Sequence, residues 1–209
     1  MEKEALVSEL CEREWVMFDK VNNAGGRASC QQDPAFFRKM RACQFENWNL
    51  PLLESYRRDL MRAAEEGRNL LTEKYAWMMS WTHPEEFARI RDALPSLSPE
   101  KRDLVSAIVS QQSAWEDEVD KRYPYMRSGG RQLTQDREKG RSASFQTYLA
   151  GELMTYSADT LKLYLDWMHE LQARGENMAL LTARSIAKAY GYASLEDADM
   201  AMKKRLERP

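Results

Sequence analysis

The chain has 209 residues and a formal net charge of −2, from 31 Lys and Arg against 33 Asp and Glu. Residues 1–96 carry 14 basic and 16 acidic groups and the remainder 17 of each, so neither half offers the basic surface that nucleic acid needs. The longest strongly apolar run, Tyr75 to Trp81, is too short to cross a bilayer, and the charged start has no signal-peptide character. Cys11, Cys30 and Cys43 are an odd set without a C-x-x-C spacing, which suits reduced thiols and a cytoplasmic location. No nucleic-acid or membrane partner is expected, and two histidines exclude an all-His metal site.

Few glycines and prolines, with 12 Met and 6 Trp, point to packed amphipathic helices. Val7, Leu10, Cys11, Trp15, Phe18 and Val21 give residues 4–22 a helical stripe. A polar glycine loop over residues 22–32 follows. Asp33-Pro34 then reads as an N-cap and first helical position, opening a helix to about Trp48. Asn49 and Pro51 start another that should stop at Gly67, and residues 69–81 form a helix apolar on nearly every side. Thr82-His83-Pro84-Glu85 has the pattern of a capping box for a short helix to about Leu94. Ser98-Pro99 opens a long helix to about Arg122, residues 123–142 read as a loop, and helices near 143–156, 158–174, 178–190 and 194–207 complete an all-α chain.

A repeat runs through this order. Phe37, Trp48, Leu53, Tyr56, Gly67 and Asn69 match Phe145, Tyr156, Leu161, Tyr164, Gly175 and Asn177 with one constant offset of 108 residues. Gly25-Gly26-Arg27 is echoed by Gly129-Gly130-Arg131, and Trp15 is matched with Trp115. The expected organisation is therefore two similar four-helix units over 1–82 and 104–192, packed as one pseudo-symmetric domain. A linker with a short helix (83–103) joins them, and a helix over 193–209 closes the chain. The surface between such units is a natural place for a pocket.

Polar residues on apolar stripes mark where that pocket would lie. Glu14 sits between Val7 and Phe18 on the first stripe; Gln44 and Glu152 hold equivalent inward positions in the two copies, and Arg41 shares the face of Gln44. A buried carboxylate needs a partner, and Arg41, Arg27 and Arg131 are the candidate donors. Such a set is either a satisfied network fixing helix register or a polar cavity in which Glu14 and Glu152 act as acid and base. In the glycine loop, Gly26 permits close approach to a ligand, Arg27 offers a planar fork for an anionic group, and Cys30 precedes a helix N-terminus that favours a nucleophilic thiolate.

Other motifs are weak. Asp166 and His169 are spaced i,i+3, but the Glu-x-x-His pairs of a di-iron site are absent, so no metal is expected. Glu73-Lys74 reads either as a paired site or as an ordinary salt-bridged face. No motif names a cofactor.

Several blocks carry a resemblance: Glu14-Trp15, Phe18 and Asn23; Gly25 through Gln31; Gly67-Arg68-Asn69-Leu70 with Glu73-Lys74-Tyr75; and Tyr148 with Gly151-Glu152-Leu153 and Tyr156. Together they resemble the bacterial domain-of-unknown-function family 4125 across nearly the whole chain. The resemblance implies no activity. Some relatives look joined to a nucleotidyltransferase-like domain, which hints at a role beside nucleotide chemistry.

The expected function is binding or transformation of a small anionic metabolite in a polar pocket between the two units. Glu14, Glu152 and Cys30 are the candidate catalytic residues. Asn23, Gly26, Arg27, Gln31, Arg41, Gln44, Trp48 and Tyr156 are the candidate ligand contacts. The alternative is a non-catalytic helical module, acting as a homodimer or as the partner of another enzyme such as a nucleotidyltransferase.

Overall fold

Helix starts are set by short polar side chains. In the computed structural model, which describes residues 2–22, 26–126, 133–134 and 143–207, the side chains of Asp33, Asn49, Asn69, Ser98, Ser144, Ser157, Asn177 and Ser194 each accept a backbone N–H one turn ahead. The helices they open, in chain order with the uncapped ones, are α1 (Glu2–Phe18), α2 (Pro34–Phe45), α3 (Leu50–Glu65), α4 (Leu70–Thr82), α5 (Pro84–Ile90), α6 (Pro99–Arg122), α7 (Phe145–Leu153), α8 (Ala158–Ala173), α9 (Met178–Ala189) and α10 (Leu195–Leu206). The fold is all-α, with no strand among the described residues.

Stops are equally local. α3 and α8 each end at a glycine with φ +68°, Gly67 and Gly175. The N–H groups of Arg68 and Glu176 reach back to the carbonyls of Ala63 and Leu171, at 2.7 and 2.9 Å. The left-handed turn satisfies carbonyls that the helix end leaves open, and glycine adopts it without strain.

Two local expectations are corrected. α1 stops at Phe18 rather than near residue 22, because the Gln31 side-chain amide donates to the carbonyls of both Phe18 and Val21 at 2.9 Å and stabilises the turn between them. The capping box at Thr82 does not form: Thr82 Oγ1 donates back to the Met78 carbonyl at 3.2 Å, and α5 starts from His83 without a side-chain cap.

Packing joins the early and late helices closely. α4 lies on α7, α2 on α9 and α3 on α8, while α1 contacts α2, α3 and α4, and α6 contacts α7, α8 and α9. Exchanging α1–α4 for α6–α9 leaves this set of neighbours unchanged. α10 rests on α9, and α5, which buries no residue, rests on α4. One hydrophobic cluster runs from Val7 to Ala198, and Leu10, Phe45, Trp48, Leu52, Leu60, Ile108, Leu161 and Met168 are fully enclosed in it. No described helix is long and apolar enough to cross a membrane.

Gly151 of α7 lies against the backbone of α4 at their crossing. A Cβ built there would meet Met78 Cγ at 2.6 Å and the Lys74 carbonyl at 2.8 Å. Only a residue without a side chain lets the two helices come this near.

Candidate functional site

Four ionisable side chains from four helices meet beneath that crossing. Arg41 of α2 is the hub. Its guanidinium bonds both oxygens of Glu14 on α1, including Nη2 to Oε1 at 2.5 Å, and the same Nη2 reaches Glu152 Oε1 on α7 at 2.9 Å. Its Nη1 donates to Gln44 Oε1 at 2.5 Å, and the guanidinium stands 4.6 Å from the centre of the Phe45 ring. Lys74 of α4 completes the set, its ammonium donating to Glu152 Oε2 at 2.6 Å. Two carboxylates and two cations thus cancel. All four side chains are deeply buried, Glu14 at 1% exposure and Lys74 at 3% against 13% for Arg41.

Phenols fill the remaining acceptor positions. Tyr56 Oη donates to Glu14 Oε1 at 2.6 Å, and Tyr156 Oη donates to Glu152 Oε1 at 2.8 Å. Burial, reinforced by these carboxylates, pushes both phenols well above their ordinary pKa. For Glu152, burial alone would raise the pKa. Arg41 and Lys74 outweigh it and hold the carboxyl well below the usual carboxylate range. Lys74 is in turn kept charged, because the attraction of Glu152 overcomes a burial that would lower it.

Tyr148 behaves differently. It sits one turn before Glu152 on α7, half-buried, with Lys74 Nζ 3.5 Å from its ring centre. The Lys74 ammonium draws its pKa down, against the opposing effect of burial.

Beside the ion cluster lies an aromatic one. Trp48 is edge-on to Phe45, Tyr56, Tyr156 and Tyr164, with centroids 5.0 to 6.4 Å apart, and the Tyr56 and Tyr156 rings approach to 4.6 Å. The Trp48 indole N–H is fully buried and has no hydrogen-bond acceptor among the described residues. Tyr164, the sequence counterpart of Tyr56, meets a neutral partner instead: Gln112 Nε2 donates to its hydroxyl at 3.0 Å.

Of the residues expected from sequence, Glu14, Arg41, Gln44 and Glu152 are joined by hydrogen bonds, Tyr156 is bonded to Glu152, and Trp48 lies against Tyr156. The loop residues are bonded elsewhere. Arg27 pairs with the Asp19 carboxylate and donates to the carbonyls of Asp19 at 3.1 Å and Gln31 at 3.0 Å, so it does not serve Glu14. Gln31 is buried and clips the loop to the end of α1, where Cys30 packs half-buried against the core. Gly26 has φ +86°, and no described residue lies within 4 Å of where a Cβ would stand. Asn23 and the candidate donor Arg131 lie outside the described residues.

Lys74 and Tyr148 are the cluster members that the sequence-based set omits. Glu73 and Lys74 do not pair with each other: Glu73 takes Arg68 at 2.8 Å while Lys74 turns inward to Glu152. Neighbours on a helix point about 100° apart, so an i,i+1 pair does not face itself. The available signal is a cation on the apolar line Leu70, Lys74, Met78, opposite a Tyr148–Glu152 pair at i,i+4.

Three surface grooves of about 420, 500 and 370 Å³ are lined by other residues, beside α1 and at the start of α10. No group of three or more His, Cys, Asp and Glu able to hold a metal occurs among the described residues.

This chain belongs to the protein family of unknown function DUF4125, whose pattern matches residues 4–200. No curated protein and no solved structure matches it.

Proposed function

We propose that the protein binds a small polar metabolite beside the Glu14–Arg41–Glu152–Lys74 cluster, between two similar four-helix units formed by α1–α4 and α6–α9. The reading is carried by the cluster itself. Four buried charges contribute little net stability, and well-packed apolar side chains of similar volume are often more stabilising by about 1–4 kcal/mol. A chain that keeps such a set at the junction of its halves gains something other than stability from it.

Gln44 and Tyr148 are only half-buried and border the cluster, so they supply the contacts a bound molecule would meet first. The charges cancel, and Arg41 and Arg27 are both engaged by carboxylates. This favours a polar molecule of small net charge over the small anionic metabolite expected from the sequence. Glu152, held as a carboxylate by two cations, fits an anchoring role better than that of an acid. Native mass spectrometry of the purified chain tests the reading: a small molecule is expected at up to one per chain, and Gln44→Leu should release it while keeping the fold. An empty wild-type chain, or a Gln44→Leu chain that retains the molecule fully, overturns it.

A second reading has one observation of its own. α5 buries no residue, and Trp81, near the end of α4, and Ile90, the last residue of α5, are 42% and 37% exposed. This arm suits a helical module that docks a partner or a second copy. A stable dimer in the same native spectra, lost on Trp81→Ala with Ile90→Ala, would favour it.

A further inference from the structure

We propose that the groove where α9 meets the start of α10 binds the phosphoryl group of a small organic phosphate, held by Arg122, Arg184 and Lys188. The cavity measures about 370 Å³, within the range of about 300–1,000 Å³ usual for small-molecule sites. None of its lining residues belongs to the Glu14–Arg41–Glu152–Lys74 cluster, so this inference goes beyond the reading above and does not depend on it.

Charge singles the groove out. Three cations line it against one carboxylate, Glu196, in a chain whose formal net charge is −2. That carboxylate is already engaged. Tyr123 Oη donates to Glu196 Oε1 at 2.8 Å, and Arg122 Nη2 lies 3.8 Å from the same oxygen. The Tyr123 hydrogen bond holds the Glu196 carboxyl below its usual range, with Arg122 and Arg184 acting in the same direction. Arg184 and Lys188 themselves are in no ion pair among the described residues. They stand one turn apart on α9, both exposed, where like charges repel.

The other half of the molecule shows that packing does not require these two cations. With Gly67 and Asn69 matched to Gly175 and Asn177, α4 carries Ala76 and Ser80 where α9 carries Arg184 and Lys188. The matching helix is thus built without either charge. A repelling pair that the frame does not need is accounted for by an anion lying between its members. The two guanidinium groups offer planar forks for phosphate oxygens, and Lys188 adds a point charge. Half-buried Tyr192, beside Ala193, gives the groove an apolar wall for the organic part. The first turn of α10 contributes little, since Ser194 already caps it and Glu196 and Asp197 make it acidic. A ligand held by exposed cations exchanges with solvent, so it is titrated into the protein rather than carried through purification.

The test is calorimetric titration of the whole chain with phenyl phosphate, at constant ionic strength in chloride. Expected is saturable binding of one molecule per chain. Arg184→Ala with Lys188→Ser writes the residues of α4 into α9 and should weaken binding by about tenfold or more, with the fold checked by circular dichroism. Should that variant fail to fold, Lys188→Ser alone decides. Glu196→Gln removes the opposing charge and should tighten binding several-fold. An absence of saturable binding in wild type, or a folded Arg184→Ala, Lys188→Ser chain that binds as tightly, overturns the proposal. Inorganic phosphate should bind more weakly than the ester, and equal binding of the two overturns the assignment of an organic phosphate.

Discussion

Glu152 accepts from Arg41, Lys74 and Tyr156 at once, and each of these leans on it to keep its own charge or proton. Removing it therefore leaves two buried cations short of a partner. Glu152→Gln should cost about 3–5 kcal/mol, as breaking a buried pair by deleting one member generally does, and urea unfolding measures it. The pH dependence has the same origin. The folded Glu152 carboxyl lies below its unfolded value near 4.3, so the unfolded chain takes up the proton first as pH falls. Its contribution is fully present above about pH 5, declines as pH drops through the unfolded value, and is lost below the folded one. In the Gln variant this part of the acid limb should flatten; an unchanged limb would mean that Glu152 is not ion-paired in solution. Cys11 carries no comparable chemistry, since burial raises its thiol pKa to about 12.

At the scale of helices, the turns at either end are legible in the sequence because their signals are local. Asp33-Pro34, Asn49 and Ser98-Pro99 cap as their residue types require, and Gly67 and Gly175 stop α3 and α8 through a backbone angle that other residues adopt only with strain. The partners of polar side chains are legible in part. Glu14, Arg41, Gln44 and Glu152 stand out because each interrupts an apolar stripe. Arg27 and Gln31 lie away from the cluster, and nothing in the sequence reveals that Asp19 and the end of α1 claim them. Lys74 and Tyr148 escape a reading by stripes because their contact joins α4 to α7 across 74 positions of the chain and depends on Gly151. Gly151→Ala tests that dependence. The added methyl has backbone on one side, so α7 should lift from α4 and cost about 1–3 kcal/mol, seen as a lower midpoint in urea. An unchanged midpoint would show that the two helices are farther apart than 2.8 Å allows.

For the whole molecule, the order of neighbours has a balance that the individual contacts do not. α4 on α7 corresponds to α2 on α9, and Trp48 against Tyr164 corresponds to Tyr156 against Tyr56, at 5.2 and 4.6 Å. The polar contacts refine the alignment of the first helices. Asn69 donates to the carbonyl of Met17 and Asn177 to that of Trp115, which sets Glu14 opposite Gln112 and moves the match two positions from a Trp15–Trp115 pairing. Glu14 and Gln112 then occupy matching places with opposite polarity, Glu14 accepting from the Tyr56 phenol and Gln112 donating to that of Tyr164. Gln44 stands likewise where the other half has Glu152. The matching positions thus carry a carboxylate on one side and an amide on the other, and the full charges gather in one cluster, which is why a single ligand per chain is expected there.

The cancelling charges under the α4–α7 crossing also bear on how far this fold stands from its own optimum. α1, α2, α4 and α7 enclose that space, and the buried phenols of Tyr56 and Tyr156 lean on its two carboxylates, so the polar set is replaceable in shape together with those hydroxyls. Glu14→Leu, Arg41→Met, Lys74→Met and Glu152→Leu, made together with Tyr56→Phe and Tyr156→Phe, should melt at or above the temperature of the natural chain, although Glu152→Gln alone is harmful, since no charge or hydroxyl is then left without its partner. A calorimetric scan of the two variants settles the comparison, and a combined variant far less stable than the single one would contradict it. On this view the sturdiest sequence for the architecture is an inert one, and the natural sequence gives up heat resistance by keeping its buried charges.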